Sequence, residues 1–343
     1  MVVQAVVAWS APCEAAVGGP AATDAARALE RAGVDLLVLE VGRTARLDPV
    51  PVLSAVARAT GRLGLVAALP VAEQPPFLLA RALGTLDHVA RGRSGWLVDE
   101  HRPGLVVRDD TDRWQDADGC SDAQWAEVVA EHVDVTCALW DSWDPDAVVA
   151  DRVTGRFVDH TRVRPVHAEG RYFRSRGPLN NPRPPQGRPV LVGSATATSA
   201  GVRLPAARVD VVVVRADDAA AAVAAVAVVR RSTPAPVLVA VAPDLPGARA
   251  RRPADPAVPL TGGAEDVARR ALEVLQDSGA DGLVLCAPLD PRTVSVVAGD
   301  LLPRWREAGA VGPGPRRGFL RDRLLAIAPG DLGPVDLVDG GVR

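Results

Sequence analysis

The run GSATATSAG (193–201) gathers small residues and hydroxyls straight after an apolar segment, RPVLVGS (188–194). Short hydroxyl side chains and closely spaced backbone N–H groups at a strand end form a cradle for a phosphate. Ser194, Thr196 and Ser199 are the candidates for that contact. His101 follows another apolar run, SGWLVD (94–99). It is the best-placed titratable group at that strand end and the candidate for proton chemistry. His88 reads as a C-terminal cap of its helix, where a cation faces unpaired carbonyls. His167 and Glu169, in VHAEGRYF, read as a turn anchored by side-chain hydrogen bonds and not as an acid–base pair. Asp109, Asp110 and Asp112 lack the Gly and Glu that a calcium loop requires, so they read as a solvated loop. Cys13, Cys120, Cys137 and Cys286 show no CxxC and no metal-ligand spacing. No metal site is predicted, and reduced thiols imply a cytoplasmic setting.

The elements that position these residues are short and apolar. Strand candidates lie at 2–8, 34–40, 62–69, 94–99, 188–194, 209–214, 237–242 and 280–286. Each carries Val and Leu on both faces, as parallel strands covered by helices do. Helical candidates lie at 23–33, 51–61, 76–92, 121–140, 218–231, 264–279 and 291–309. Thr23 and Ser121 stand at N-cap positions, and Gly61, Gly92, Gly279 and Gly309 close their helices. Eight strands alternating with helices predict an α/β protein, a (β/α)8 TIM barrel, as one domain over 1–330. The alternation breaks at 141–188, a long crossover or cap after the fourth helix, and again in the irregular loop 244–263. Residues 331–343 read as a disordered tail.

Composition narrows the partners. The 343 residues are 48% hydrophobic but only 3% aromatic, and every one of the 39 basic residues is Arg. The net charge of −3 and the absence of a large basic block argue against sequence-independent nucleic-acid binding, which needs clustered cations. No apolar run reaches the length of a membrane span, and VVQAVVAW (2–9) reads as a strand and not as a signal peptide.

The run DHVARGRSGWLV (87–98) resembles the LDHLSGGRxGWN signature of flavin-dependent monooxygenases of the bacterial luciferase-like superfamily. The blocks LWDSWDPDAVVADRVTGRFVD (139–159) and VRPVHAEGRYFRSRGPLNNPRPPQGRPVLV (163–192) are similar to its nitrilotriacetate and dibenzothiophene-sulfone monooxygenase branch. The resemblance covers essentially the whole chain, with a late helical insertion shortened near 215–263. It implies a luciferase-like barrel, reduced FMN delivered by a separate flavin reductase, O2, a small organic substrate and a homodimer. It implies flavin contacts at Glu40, Ala68, Leu97, Ser194, Thr196, Ser199 and Gly201, with His101 as the catalytic candidate.

Several of those positions depart from the family pattern. The Asp that ends the second strand is Glu40. The hydroxyl-rich turn after the third strand is VAALPVAEQPPF (66–77), and GWN is GWL, so Leu97 replaces Asn. Trp125 and Ala126 stand where the fourth helix carries Arg and Tyr. Three functions are therefore weighed: an FMN-dependent two-component monooxygenase; a non-catalytic barrel paralogue that binds flavin weakly or not at all, acting as a partner subunit or small-molecule binder; and a relative that uses the deazaflavin F420 to transfer hydride, against which the branch resemblance argues. Tyr172 and Phe173, in the crossover, are expected to point to opposite sides of that connection.

Overall fold

The computed structural model describes residues 4–13, 20–41, 47–71, 73–101, 107–108, 114–115, 121–196, 208–245, 256–315 and 317–327. Eight parallel strands close on themselves: β1 (Val6–Pro12), β2 (Leu36–Glu40), β3 (Gly64–Pro70), β4 (Ser94–Asp99), β5 (Val190–Thr196), β6 (Val211–Arg215), β7 (Val237–Pro243) and β8 (Gly282–Cys286). Neighbours pair in chain order, and β8 returns to β1 through Val6↔Gly282 to Ser10↔Cys286. Around them lie α1 (Pro20–Ala32), α2 (Pro49–Ala59), α3 (Pro76–Val89), α4 (Asp122–Trp140), α5 (Ala219–Ser232), α6 (Ala264–Ser278) and α7 (291–307). This is the (β/α)8 barrel that the alternating pattern predicts.

Side chains alternate across each strand, which separates two cores. The outward set, including Trp9, Leu37, Leu65, Trp96 and Val239, packs under the helices. The inward set, including Ala8, Val38, Val66, Leu97, Val192, Val213, Ala240 and Val284, fills the barrel. Leu320 and Leu324 of a last helix, α8 (Leu320–Leu325), join the inward set and plug the N-terminal end of the barrel. That end is also pinned by a repeated device. Asp35, Asp210 and Asp281 each stand just before an even-numbered strand and accept the N–H of Val7, Leu191 and Val237, at 3.0, 2.8 and 2.7 Å, on the preceding odd strand. A VD or AD pair before a Val/Leu run is the sequence trace of this device.

Helix ends follow local chemistry. The Ser121 hydroxyl and the Gln124 side chain form a capping box at α4. Asp48, Asp218 and Asp290 cap α2, α5 and α7. Within α7 a wider π turn occupies Val297–Leu301, ending two residues before Pro303, which has no N–H to donate.

Some boundaries differ from the sequence reading. β1 begins at Val6 and runs to Pro12, because its register with β2 and β8 extends through Ser10. α1 starts at Pro20, so Thr23 lies inside the helix and does not cap it. α2 ends in extended backbone at Thr60, with Gly61 outside the left-handed region, because the Arg93 guanidinium takes the Ala57 and Thr60 carbonyls, both at 3.1 Å. The loop 244–263 is not wholly irregular. Val258–Leu260 forms a short strand parallel to Val241–Pro243, burying Val258 and Leu260 with Pro259 exposed between them. Ser199, Gly201, Cys120, Asp109, Asp110, Asp112 and the tail 331–343 lie outside the described residues.

The crossover is a buttress on the outer faces of α3 and α4. Trp143 Nε1 donates to Leu179 O at 2.7 Å, and Asp141 accepts Arg188 Nε at 3.0 Å, so the two ends of the excursion are tied together. His88 does not cap its own helix: its ring bonds the Pro182 carbonyl at 3.2 Å, joining α3 to the crossover. His167 takes a left-handed φ of 48°, and the turn around Glu169 is held by a backbone hairpin, Ala168–Glu169 against Arg174–Ser175.

Candidate functional site

The C-terminal ends of the strands form the mouth of the barrel, where this fold places its chemistry. Glu40 on β2, Ala68 on β3 and Leu97 on β4 are direct register neighbours, so three expected contact residues form one inward row. Ala68 and Leu97 are buried within the barrel's apolar interior. Neither offers a hydrogen-bonding side-chain atom. Ser194 and Thr196 on β5 are half-buried, and Thr196 is the register partner of Arg215 on β6.

Arg215 and Ser10 complete the arrangement. Val211 and Val213 point inward, and strand alternation sends Arg215 the same way. Strand β6 lies four positions from β2 in an eight-stranded ring, so the two face each other across the barrel. The Arg215 guanidinium spans that distance and donates through Nη2 to Glu40 Oε1 at 2.9 Å. Ser10 Oγ donates to the same oxygen at 2.6 Å. Side-chain exposure is 5% for Arg215 and 18% for Glu40, so the pair lies inside the barrel with the carboxylate nearer solvent. A polar brace thus crosses the barrel at the mouth, above the apolar interior. The sequence reading misses Arg215 because it ends that strand at 214; period-two alternation from Val211 is the signal that finds it.

His101 lies at the rim after β4 and is exposed, its backbone N–H capped by Asp99 Oδ1 at 2.9 Å. It does not join the inward row. The loops around it are anchored from α4: Trp125 Nε1 donates to Glu100 O at 2.8 Å, and His132 Nε2 bonds Gln74 O at 2.8 Å. Burial holds His132 well below the ordinary imidazole range, at about 4. The neutral ring then donates through Nε2 and receives the Thr136 hydroxyl at Nδ1, 3.4 Å away. Phe173 meets the His132 ring edge-on at 5.1 Å. Glu131 of α4 accepts the backbone N–H groups of Arg171, Tyr172 and Phe173, at 3.0, 2.8 and 2.7 Å. Tyr172 OH donates to Glu127 at 2.9 Å, so both rings of the crossover end on one helix.

Among the described residues no group of three or more His, Cys, Asp or Glu could hold a metal ion, and no helix is long and apolar enough to cross a membrane.

The chain is thus a closed parallel (β/α)8 barrel with a polar brace across its mouth. The chain belongs to the luciferase-like monooxygenase family, whose model matches residues 10–262. It is 34% identical over 176 residues to nitrilotriacetate monooxygenase component A of Aminobacter aminovorans, covering 48% of this chain and 36% of that protein. It is 31% identical over 192 residues to the dibenzothiophene-sulfone monooxygenase of Rhodococcus erythropolis, covering 49% and 40%. The matched stretch spans less than half the length of these curated relatives. A riboflavin lyase solved with modified FMN and riboflavin shares the fold at a TM-score of 0.73 and 19% identity, covering 95% of this chain and 97% of that one.

Proposed function

We propose that this protein is the oxygenase component of a two-component monooxygenase, using reduced FMN from a separate flavin reductase and O2 to oxygenate a small organic substrate. The observation that carries this reading is the inward row Glu40–Ala68–Leu97 facing Arg215 and the β5 hydroxyls in a barrel of this family. The donor set suits a flavin mononucleotide. Ser194 and Thr196 offer hydroxyls to a phosphate. Ala68 and Leu97 offer apolar contact to a ring, and Glu40 offers an acceptor at its edge. When bound, reduced FMN supplies the electrons that activate O2. The chain's own work is to bind, orient and exclude water. His101 at the rim is the group we assign to proton exchange with substrate. We propose a homodimer and a cytoplasmic setting with it.

One observation favours the second reading, a non-catalytic barrel that binds flavin weakly or not at all. Ala68 and Leu97 place apolar side chains where the family pattern has hydrogen-bonding ones. Two lost bonds at ~0.5–1.5 kcal/mol each weaken binding by roughly one to two orders of magnitude. Fluorescence titration with oxidised FMN and anaerobic titration with reduced FMN decide between the two. Saturation below roughly 300 μM, about −5 kcal/mol, supports the oxygenase; no binding in that range refutes it. Turnover is then tested by substrate oxygenation with an added reductase.

A further inference from the structure

The Glu40 carboxylate is asymmetric. Its Oε1 receives both Ser10 Oγ at 2.6 Å and Arg215 Nη2 at 2.9 Å. Among the described residues no donor reaches Oε2, and that oxygen is not among the buried side-chain atoms left without a partner. Glu40 sits at the last position of β2 and faces into the barrel, so its 18% side-chain exposure is exposure to the mouth. A carboxylate held by a guanidinium from the opposite wall and a hydroxyl from the adjacent strand has one orientation, and its second oxygen is an open acceptor.

We infer that Arg215 is a positioning residue: reaching across the barrel with the help of Ser10, it fixes Glu40 so that Oε2 accepts a hydrogen bond from a ring N–H of the bound ligand. The ligand class is a heteroaromatic ring with an N–H donor on the edge that enters the barrel. This rests on the flavin reading above, for which oxidised FMN is the probe; its only ring N–H is at N3. Arg215 need not touch the ligand. It neutralises a carboxylate inside a low-dielectric barrel and removes the alternative rotamers that would turn Oε2 aside.

The test compares oxidised FMN with its N3-methyl derivative by fluorescence titration, using the intact chain. The unaltered protein is expected to favour FMN at least tenfold. Arg215→Met and Glu40→Ala are expected to bring that ratio close to one, and Arg215→Lys, which keeps a cation on a long stem, is expected to restore most of it. If Arg215→Met does not fold, Ser10→Ala removes one donor and is expected to give an intermediate ratio. If FMN binds but the ratio is near one in the unaltered chain, or is the same in all variants, the inference is overturned while the flavin reading stands. If the unaltered chain does not bind FMN at all, the flavin reading falls, and the inference with it. A flavin-independent arm judges the brace alone. A double-mutant cycle on thermal unfolding of the ligand-free protein is expected to show Glu40 and Arg215 coupled, and additive effects would overturn the brace.

Discussion

Asp87 and Gln186, 99 residues apart in sequence, are bonded twice: the Asp87 carboxylate accepts the Gln186 backbone N–H at 3.1 Å and its Nε2 at 2.7 Å. The same carboxylate accepts Ser94 N at 3.2 Å and Ser94 Oγ at 2.8 Å. Gln186 then passes the connection on, receiving Arg321 N at Oε1, 2.9 Å away. One buried side chain therefore ties the end of α3, the start of β4, the end of the crossover and the terminal plug. Burial pushes the Asp87 carboxyl above its usual range, and the four hydrogen bonds oppose that shift. Asp87→Ala strands several buried donors and should cost about 3 kcal/mol or more. Urea unfolding measures it; a loss below about 1 kcal/mol would mean that the surroundings rehydrate and the tie is dispensable.

Glu131 does for the crossover what Asp87 does for the barrel's lower end. Three consecutive amides, of Arg171, Tyr172 and Phe173, converge on its carboxylate. Glu131→Ala should leave the barrel folded while opening this segment, at about 1–3 kcal/mol. Limited trypsin digestion should then cut faster after Arg171 and Arg174, with little change in the global unfolding midpoint. An unchanged cleavage rate would show that the rings of Tyr172 and Phe173 hold the segment without the clamp.

Two buried groups give the stability opposite pH slopes. His132 titrates at about 4 in the folded chain against 6.5 ordinarily. The unfolded chain takes up the proton first, so this contribution is complete above 6.5 and is lost as pH falls toward 4. Asp35 behaves in reverse. Burial raises it from 3.8 to about 6, against the opposing Val7 N–H bond and Arg323, so its contribution is complete below 3.8 and is lost as pH rises through 6. Each shift corresponds to about 3 kcal/mol. The stability of the unaltered chain relative to Asp35→Asn should therefore decline by about 2 kcal/mol between pH 4 and 6. Denaturant unfolding across that range checks it; a flat difference would mean that Asp35 is hydrated.

Much of the barrel is legible in the sequence because each strand is apolar on both faces, a pattern that only helix-covered parallel strands need. Gly92, Gly279 and Gly309 mark helix ends correctly because each takes a positive φ there. The mouth is less legible. Glu40, Ala68 and Leu97 are named by resemblance alone, and their common row depends on register, which no single strand contains. Arg215 and Ser10 stay hidden because their roles come from strands on opposite and adjacent walls. Arg215 acts only through Glu40, 175 residues away. His88 is misread for a related reason: its partner, the Pro182 carbonyl, comes from the crossover and not from its own helix.

Leu97 offers the sharpest test of what the apolar row means. Its side chain is buried in the barrel interior beside Ala68, at the position where the resemblance implies an Asn. Leu97→Asn places an amide among apolar neighbours and should destabilise the ligand-free protein by about 1–3 kcal/mol. If a flavin ring occupies the mouth, it supplies partners for that amide, so the same change should tighten FMN binding by up to about tenfold. Saturating FMN should therefore raise the melting temperature of the variant by more than it raises that of the unaltered chain. A smaller rise in the variant would place the ring away from β4. The row of Glu40, Ala68 and Leu97 would then be barrel packing and not a flavin platform.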